Sequence, residues 1–160
     1  MEAVHRPVAV CATALVTMGI AAGAAQARTE NVVAAIKHQQ RTLKRAAASE
    51  NLKHIKIRTR AQARHAEPKF RTLASDMEAA ATAVSKASTD SRAQRRGKRE
   101  WVRGARGDAR GFTQFGDVLK DLARGDRSAA KREALKAEQT VLDASRTLLR
   151  AEKLLKLRGA

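Results

Sequence analysis

Residues 68–87, with the sequence PKFRTLASDMEAAATAVSKA, show the clearest hydrophobic periodicity in the chain. Their apolar positions alternate between spacings of three and four residues: Phe70, Leu73, Met77, Ala80, Val84 and Ala87. This pattern places them on one narrow face of an α-helix, as in the seam of a helical bundle. Pro68 suits the first helical position, because the amide hydrogen that proline lacks has no intrahelical partner there. We therefore predict a bundle helix over residues 68–91.

A long helix is predicted before this segment, over about residues 29–65. Thr29 followed by Glu30 is typical of a helix start, since a hydroxyl caps the first amides and an acid favours the positive end of the helix dipole. Apolar residues follow at helical spacing: Val32, Val33, Ile36, Leu43 and Ala47. Residues 55–60 alternate apolar and polar side chains as an exposed strand would, but the chain offers no second strand to pair with them. A helical continuation is therefore preferred.

Two helices are predicted after the seam, over about residues 108–124 and 126–157, and a flexible basic joint over 92–107 precedes them. Three glycines weaken the helix in this region, each by about 1 kcal/mol relative to alanine: Gly104, Gly107 and Gly111. A heptad register nevertheless runs across them: Trp101, Ala105, Phe112, Phe115, Leu119 and Leu122. This register predicts that the tryptophan packs in the core. Of an unbroken helix and a restart at Asp108, we prefer the restart.

The tripeptide Arg-Gly-Asp occurs twice, at residues 106–108 and 124–126. Each copy matches the end of one helix and the start of the next, with a cation in the last turn, a glycine in the left-handed position and an acid as N-cap. Receptors that recognise this tripeptide need it at the tip of an extended loop. We interpret both copies as helix boundaries and not as adhesion sites.

These segments predict an all-α fold, an up-down antiparallel bundle of about four helices that forms a single basic domain over residues 28–160. Two helical hairpins are the alternative arrangement. Alanine makes up much of the hydrophobic content of 43%, and the aromatic residues are three Phe and one Trp. The core should therefore be thin, and folding should depend on helix propensity and on neutralisation of the positive charge.

The first 27 residues have the features of a cleaved secretory signal peptide. Arg6 and the amino terminus precede an uncharged run over residues 8–25, and Ala25-Gln26-Ala27 supplies the small-x-small pattern of a cleavage site. The run is too short and too rich in Ala, Thr and Gly for a good membrane anchor. We expect a protein that begins at Arg28 and is secreted to the periplasm, the cell envelope or the medium. Its composition is compatible with a bacterial source.

The secreted chain offers no arrangement of residues for catalysis, and no cofactor or metal is expected. Cleavage removes Cys11, the only cysteine. On a continuous first helix, His54 and His65 would stand roughly 16 Å apart along the axis, too far to share an ion, and His38 falls on another side. No serine lies in a Gly-x-Ser-x-Gly turn, and most acids have a basic neighbour one turn away. We expect a non-enzymatic protein.

Charge is the best clue to function, because 33 Lys and Arg face only 16 Asp and Glu, for a formal net charge of +17. Lys and Arg release counterions from phosphate polymers, so attraction to polyanions follows. The residues we expect to bind them form two blocks. The first block comprises Lys37, Arg41, Lys44, Arg45, Lys53, Lys56, Arg58, Arg60 and Arg64, and the second comprises Arg92, Arg95, Arg96, Lys98, Arg99, Arg103, Arg106 and Arg110.

The expected partner is an anionic polymer or surface that is bound without sequence specificity, such as an envelope polyanion or extracellular nucleic acid, since no base-reading motif is present. The main alternative is a membrane-associated protein, in which residues 148–157 with Arg150, Lys153, Lys156 and Arg158 insert into an anionic leaflet. A further alternative is a scaffold that oligomerises or binds a partner helix through the seam at residues 70–87. The oligomeric state is left undetermined by the sequence.

Overall fold

The computed structural model of the protein describes residues 31–50 and 57–157. Across these ranges it contains no strand and four helices: α1 (Val32–Ser49), α2 (Arg60–Ser85), α3 (Arg92–Arg124) and α4 (Arg127–Leu155). The predicted all-α fold class is confirmed. The predicted signal peptide, the predicted helix start at Thr29, and Lys53 and Lys56 lie outside the described residues.

Helices that follow one another in the chain pack against each other, and α3 lies between α2 and α4. Phe70 of α2 packs against Phe112 and Phe115 of α3, with ring centroids 6.3 and 6.1 Å apart. The start of α1 meets the connection between α2 and α3, where the amide of Val32 donates to the carbonyl of Ser88 at 3.0 Å. Successive helices are antiparallel, and the up-down bundle is confirmed.

The main hydrophobic core takes residues from all four helices. Large side chains with almost no exposed surface are Ile36 on α1, Leu73 on α2, Trp101 on α3 and Val141 on α4. Alanine fills much of the remaining interior, as the composition predicted. Trp101 is 1% exposed, which confirms its predicted place in the core.

The first helix is shorter than predicted, because α1 ends at Ser49. Its N-cap is Asn31, whose side-chain oxygen accepts a hydrogen bond from the amide of Val33 at 2.9 Å. The side-chain nitrogen Nδ2 of Asn31 donates to Asp90 Oδ2 at 2.7 Å, which connects the start of α1 to the segment between α2 and α3. The prediction of a continuous helix through residues 57–59 is wrong, since these residues precede α2.

The second helix begins eight residues before Pro68, at Arg60, so the predicted start at the proline is also wrong. Thr59 and Gln62 form a capping box, with the Gln62 amide 3.2 Å from Thr59 Oγ1 and the Thr59 amide 3.1 Å from Gln62 Oε1. This reciprocal pair satisfies amides that the first turn leaves unpaired, which favours a start at Arg60. Pro68 lies inside α2 and is exposed.

The predicted flexible joint at residues 92–107 is instead the first half of α3, and no helix restarts at Asp108. Ser91 caps the helix, with its hydroxyl accepting from the Gln94 amide at 3.1 Å. The interpretation of the first Arg-Gly-Asp as a boundary is therefore wrong. Close packing of the α3 glycines against α4 offsets their low helix propensity: Gly97 meets Leu155, Gly104 meets Leu148, Gly107 meets Ala144 and Gly111 meets Val141.

The second Arg-Gly-Asp is a helix boundary, as predicted. Gly125 ends α3 with a φ of 91°, in the left-handed region that glycine enters without a steric penalty. Asp126 caps α4 by accepting from the amide of Ala129 at 2.9 Å. The bounds of α4 lie within two residues of the predicted bounds at each end.

Candidate polyanion-binding surface

Six arginines form one row along the solvent face of α3, which we call the arginine stripe: Arg92, Arg96, Arg99, Arg103, Arg106 and Arg110. Their spacings alternate between four and three, so each lies about one turn beyond the last and opposite the core face that carries Trp101 and Phe112. All six are exposed. At 1.5 Å per residue the stripe is about 27 Å long. It exists because α3 is continuous, since a flexible joint would not align these side chains.

Few carboxylates neutralise the stripe. Arg106 Nε lies 3.0 Å from Glu78 Oε1 on α2, and Arg103 Nη1 lies 3.8 Å from Glu100 Oε1. The other four arginines have no ion-pair partner among the residues that the structure describes: Arg92, Arg96, Arg99 and Arg110. The stripe therefore presents a positive field to solvent that neighbouring acids cancel only in part.

An open groove of about 570 Å³ runs beside the stripe, between α2 and α3. It is lined by Glu78, Ser85, Lys98, Arg99, Val102, Arg103, Arg106 and Arg110. Lys98 differs from the arginines, because its Nζ donates to the carbonyls of Ser85 at 3.2 Å and Ala87 at 2.9 Å. Lys98 thereby caps carbonyl groups at the carboxyl end of α2. The exposed arginine side chains can instead contact a ligand. Arg95 is exposed on α3 beside the stripe.

The first predicted basic block is divided between two helices. Its α1 members are Lys37, Arg41, Lys44 and Arg45, of which the last two are exposed. Arg58, Arg60 and Arg64 are exposed at and before the start of α2. The guanidinium of Arg60 lies against Gly125, at the turn between α3 and α4. The structure thus brings six of the eight residues of the second block together on one helix face and divides the described members of the first block between two helices.

Sequence reasoning missed a buried acid. Asp108, which we predicted to be an N-cap, is 6% exposed in the middle of α3, and its Oδ1 has no hydrogen-bond partner within the described ranges. Desolvation by burial raises the pKa of this carboxyl from 3.8 to about 7. The heptad register of Trp101, Phe112 and Phe115 already placed position 108 on the core face and is the signal that could have revealed it.

The described part of the chain contains neither a metal-binding cluster nor a membrane-spanning helix. No group of three or more His, Cys, Asp or Glu residues converges there as a metal site. His38 and His65 are exposed on α1 and α2, and His54 lies outside the described residues. Among the helices of residues 31–50 and 57–157, none has both the length and the hydropathy to cross a membrane.

Comparison of the chain with protein families, with curated proteins and with solved structures gives no match.

Proposed function

We propose that the protein is a non-enzymatic, exported helical protein that binds anionic polymers through the arginine stripe. One observation carries the proposal: a single continuous helix holds six exposed arginines in one row beside an open groove. Envelope polyanions and extracellular nucleic acid are the polymers that such a protein would meet outside a cell. The proposal includes no preference for a base sequence, because the row offers charge and no pattern of base-specific side chains.

Binding rests on collective charge. An arginine follows every turn of α3, about 5.4 Å further along the axis, so successive phosphate, sulfate or carboxylate groups of a flexible polymer can each meet a guanidinium. Each contact releases a condensed counterion, which makes the association favourable and dependent on salt. No individual arginine should be indispensable. For six phosphate contacts to a single strand, log Kd should change with log salt with a slope of about 4.

The decisive experiment reverses four stripe charges in one variant, Arg96→Glu, Arg99→Glu, Arg103→Glu and Arg110→Glu. Arg106 is kept because its 3.0 Å pair with Glu78 joins α3 to α2, whereas the 3.8 Å pair of Arg103 with Glu100 lies within α3. Binding to oligo(dT), polyphosphate and heparin should weaken by a similar factor for all three, and the salt slope for the single strand should fall by about 3. The measurement is a fluorescence-anisotropy titration at several salt concentrations.

A matched control applies the same charge change to exposed cations of α4, in the variant Lys131→Glu, Arg132→Glu, Arg150→Glu and Lys153→Glu. If the stripe is the binding surface, the control should lose less affinity than the stripe variant, although both carry the same net charge. Equal losses would show that the general field of the protein binds the polymer and would overturn the assignment to α3. Binding that survives high salt, or that prefers one base sequence, would contradict the proposal as a whole.

A further inference from the structure

The large apolar side chains that the described part of the chain leaves exposed all lie on α4. Leu135 is 63% exposed, Leu142 39% and Leu149 42%. They are seven residues apart, so they form one nearly straight row about 21 Å long, which we call the leucine row. We propose that the leucine row, with the cations beside it, is the face by which the protein docks on an anionic lipid bilayer. This surface is separate from the arginine stripe on α3.

The face of α4 that can contact a membrane differs from the segment that the sequence indicated. From the sequence, the expected inserting segment was residues 148–157. Leu148 and Leu155 in that segment are buried, 2% and 7% exposed, because they pack against Gly104 and Gly97 of α3. They are therefore unavailable to lipid while the bundle is intact. The leucine row is turned away from this packing and can meet a bilayer without unfolding.

The cations of α4 complement an anionic leaflet. Exposed basic residues on the same helix, close to the leucine row, are Lys131, Arg132, Arg146, Arg150 and Lys153. The nearby acids are Glu138, Asp143 and Glu152, of which Glu152 is 9% exposed and Asp143 accepts a hydrogen bond from Arg146 at 3.2 Å. A row of leucines bordered by cations is the pattern of a helix that lies in the membrane interface. The leucines enter the acyl boundary while the cations contact lipid phosphates.

The same features argue against a second copy of the chain as the occupant of this face. A helical seam needs two apolar positions in each heptad, and the positions between the leucines hold Glu138 and Gln139, then Ser145 and Arg146. Self-association would also bring two sets of α4 cations together in a protein with a net charge of +17. A bilayer surface needs only the single apolar row and neutralises the cations.

The first test compares three full-length proteins: the natural chain, a variant with Leu135, Leu142 and Leu149 all changed to Gln, and a variant with all three changed to Met. Leu, Gln and Met have similar helix propensities, so α4 should be equally stable in each. Sedimentation with phosphatidylglycerol–phosphatidylcholine vesicles should show a partition coefficient at least about tenfold lower for the Gln variant. The Met variant should partition like the natural chain, and all three should bind pure phosphatidylcholine weakly.

A second test shows whether the leucine row itself enters the bilayer, because vesicle binding alone does not identify the part of the chain that contacts lipid. In a Cys11→Ser background, an NBD fluorophore is attached to Leu142→Cys or, as a control, to Ser75→Cys on the exposed side of α2. Anionic vesicles should shift the emission of the label at position 142 to the blue and leave the label at position 75 in a water-like environment. An unshifted label at position 142, or equal shifts at both positions, overturns the proposal.

The outcomes separate this proposal from the function assigned to the arginine stripe. The Gln variant should bind heparin and polyphosphate with unchanged affinity, because the stripe is intact. Loss of vesicle binding with retained polymer binding supports both proposals. If the Gln variant partitions like the natural chain, the leucine row is not the lipid face. If the Gln substitutions convert a dimer to a monomer without affecting vesicle binding, a second copy covers the row and the lipid proposal is wrong.

Discussion

Asp108 is the residue at which local sequence preference and tertiary environment conflict most strongly. It follows Gly107 in an Arg-Gly-Asp tripeptide, a context that favours a cap, yet it lies on the core face of α3 between Ala105 and Phe112. The buried polar atoms without a hydrogen-bond partner in the described residues are Asp108 Oδ1, Trp101 Nε1 and Gln114 Oε1, all on this helix. A buried carboxylate without compensating bonds is expensive, and its removal should stabilise the fold.

We expect the variant Asp108→Asn to be more stable than the natural chain by an amount that grows with pH. Because burial raises the carboxyl pKa to about 7, Asp108 is least unfavourable to the fold below pH 3.8, where it is neutral in both states. Its contribution becomes more unfavourable as pH rises towards 7 and is constant above that. The difference in unfolding free energy should therefore increase between pH 4 and pH 8, towards a ceiling on the order of 4 kcal/mol.

Urea denaturation of both proteins across this pH range measures the difference. The exposed acid Asp143 supplies the control, since Asp143→Asn makes the same substitution at the surface of α4. A constant difference between Asp108→Asn and the natural chain from pH 4 to pH 8 would mean that the carboxyl is not desolvated in the folded protein.

At the scale of the helices, the decisive interaction is the contact of α3 with α4. Glycines recur every seven residues on α3, and aliphatic side chains recur every seven residues on α4. Each of these glycines therefore faces one larger side chain across the interface: Gly97 faces Leu155, Gly104 faces Leu148 and Gly111 faces Val141. Their order is antiparallel. The absent side chains let the two backbones approach, and van der Waals contact replaces the helix propensity that each glycine lacks.

Gly107 offers the most specific test of this contact. A Cβ there would lie 2.8 Å from Ala144 Cβ, an atom that cannot move without its backbone. Although alanine favours a helix by about 1 kcal/mol, we expect Gly107→Ala to destabilise the protein by about 1–3 kcal/mol through overpacking. Thermal or urea unfolding followed by circular dichroism measures the change.

Two companion variants make that result interpretable. Gly116→Ala lies on the same helix, but its Cβ would meet the side chain of Arg71, 3.3 Å from Cγ, and no atom within 3.0 Å, so it should destabilise the protein less than Gly107→Ala. The double variant Gly107→Ala with Ala144→Gly moves the small residue to the other helix and should recover most of the packing. Additive losses in the double variant would indicate that the two residues do not contact each other.

The two Arg-Gly-Asp copies show that the surrounding sequence and packing determine whether a short motif ends a helix. Around residues 106–108 the apolar register continues in both directions and α4 covers the glycine, so the helix runs on. At residues 124–126 Gly125 has a positive φ and Asp126 caps the next helix, so the chain turns. Cap residues end a helix only where no continuing apolar face holds it together.

At the scale of the whole molecule, a thin alanine-rich core supports a strongly cationic surface. The interior gains relatively little from each buried alanine, and the excess of 17 positive charges opposes compaction. Ionic conditions should therefore affect the stability of this protein more than that of a neutral bundle. The same surplus charge is what attracts anionic polymers and lipid headgroups.

We expect the melting temperature to rise by a few degrees as sodium chloride increases from about 0.01 M to about 1 M, because the Debye length shortens from about 30 to about 3 Å. The quadruple Arg→Glu stripe variant lowers the net charge from +17 to +9 and should melt higher at low salt, with a weaker salt dependence. Circular dichroism melts of both proteins give the comparison. A natural chain whose melting temperature falls with salt would show that specific ion pairs outweigh general repulsion.

Local patterns were sufficient to predict the all-α class, the antiparallel order, the boundary at residues 124–126 and the burial of Trp101. Helical periodicity and caps act over a few residues, so they are readable before any tertiary contact is known. The heptad register already placed position 108 on the core face, whereas the continuity of α3 and the exposure of the leucine row were decided by tertiary structure. Both depend on which helix covers which face, and the close contact of the α3 glycines with α4 supports the unbroken course of α3.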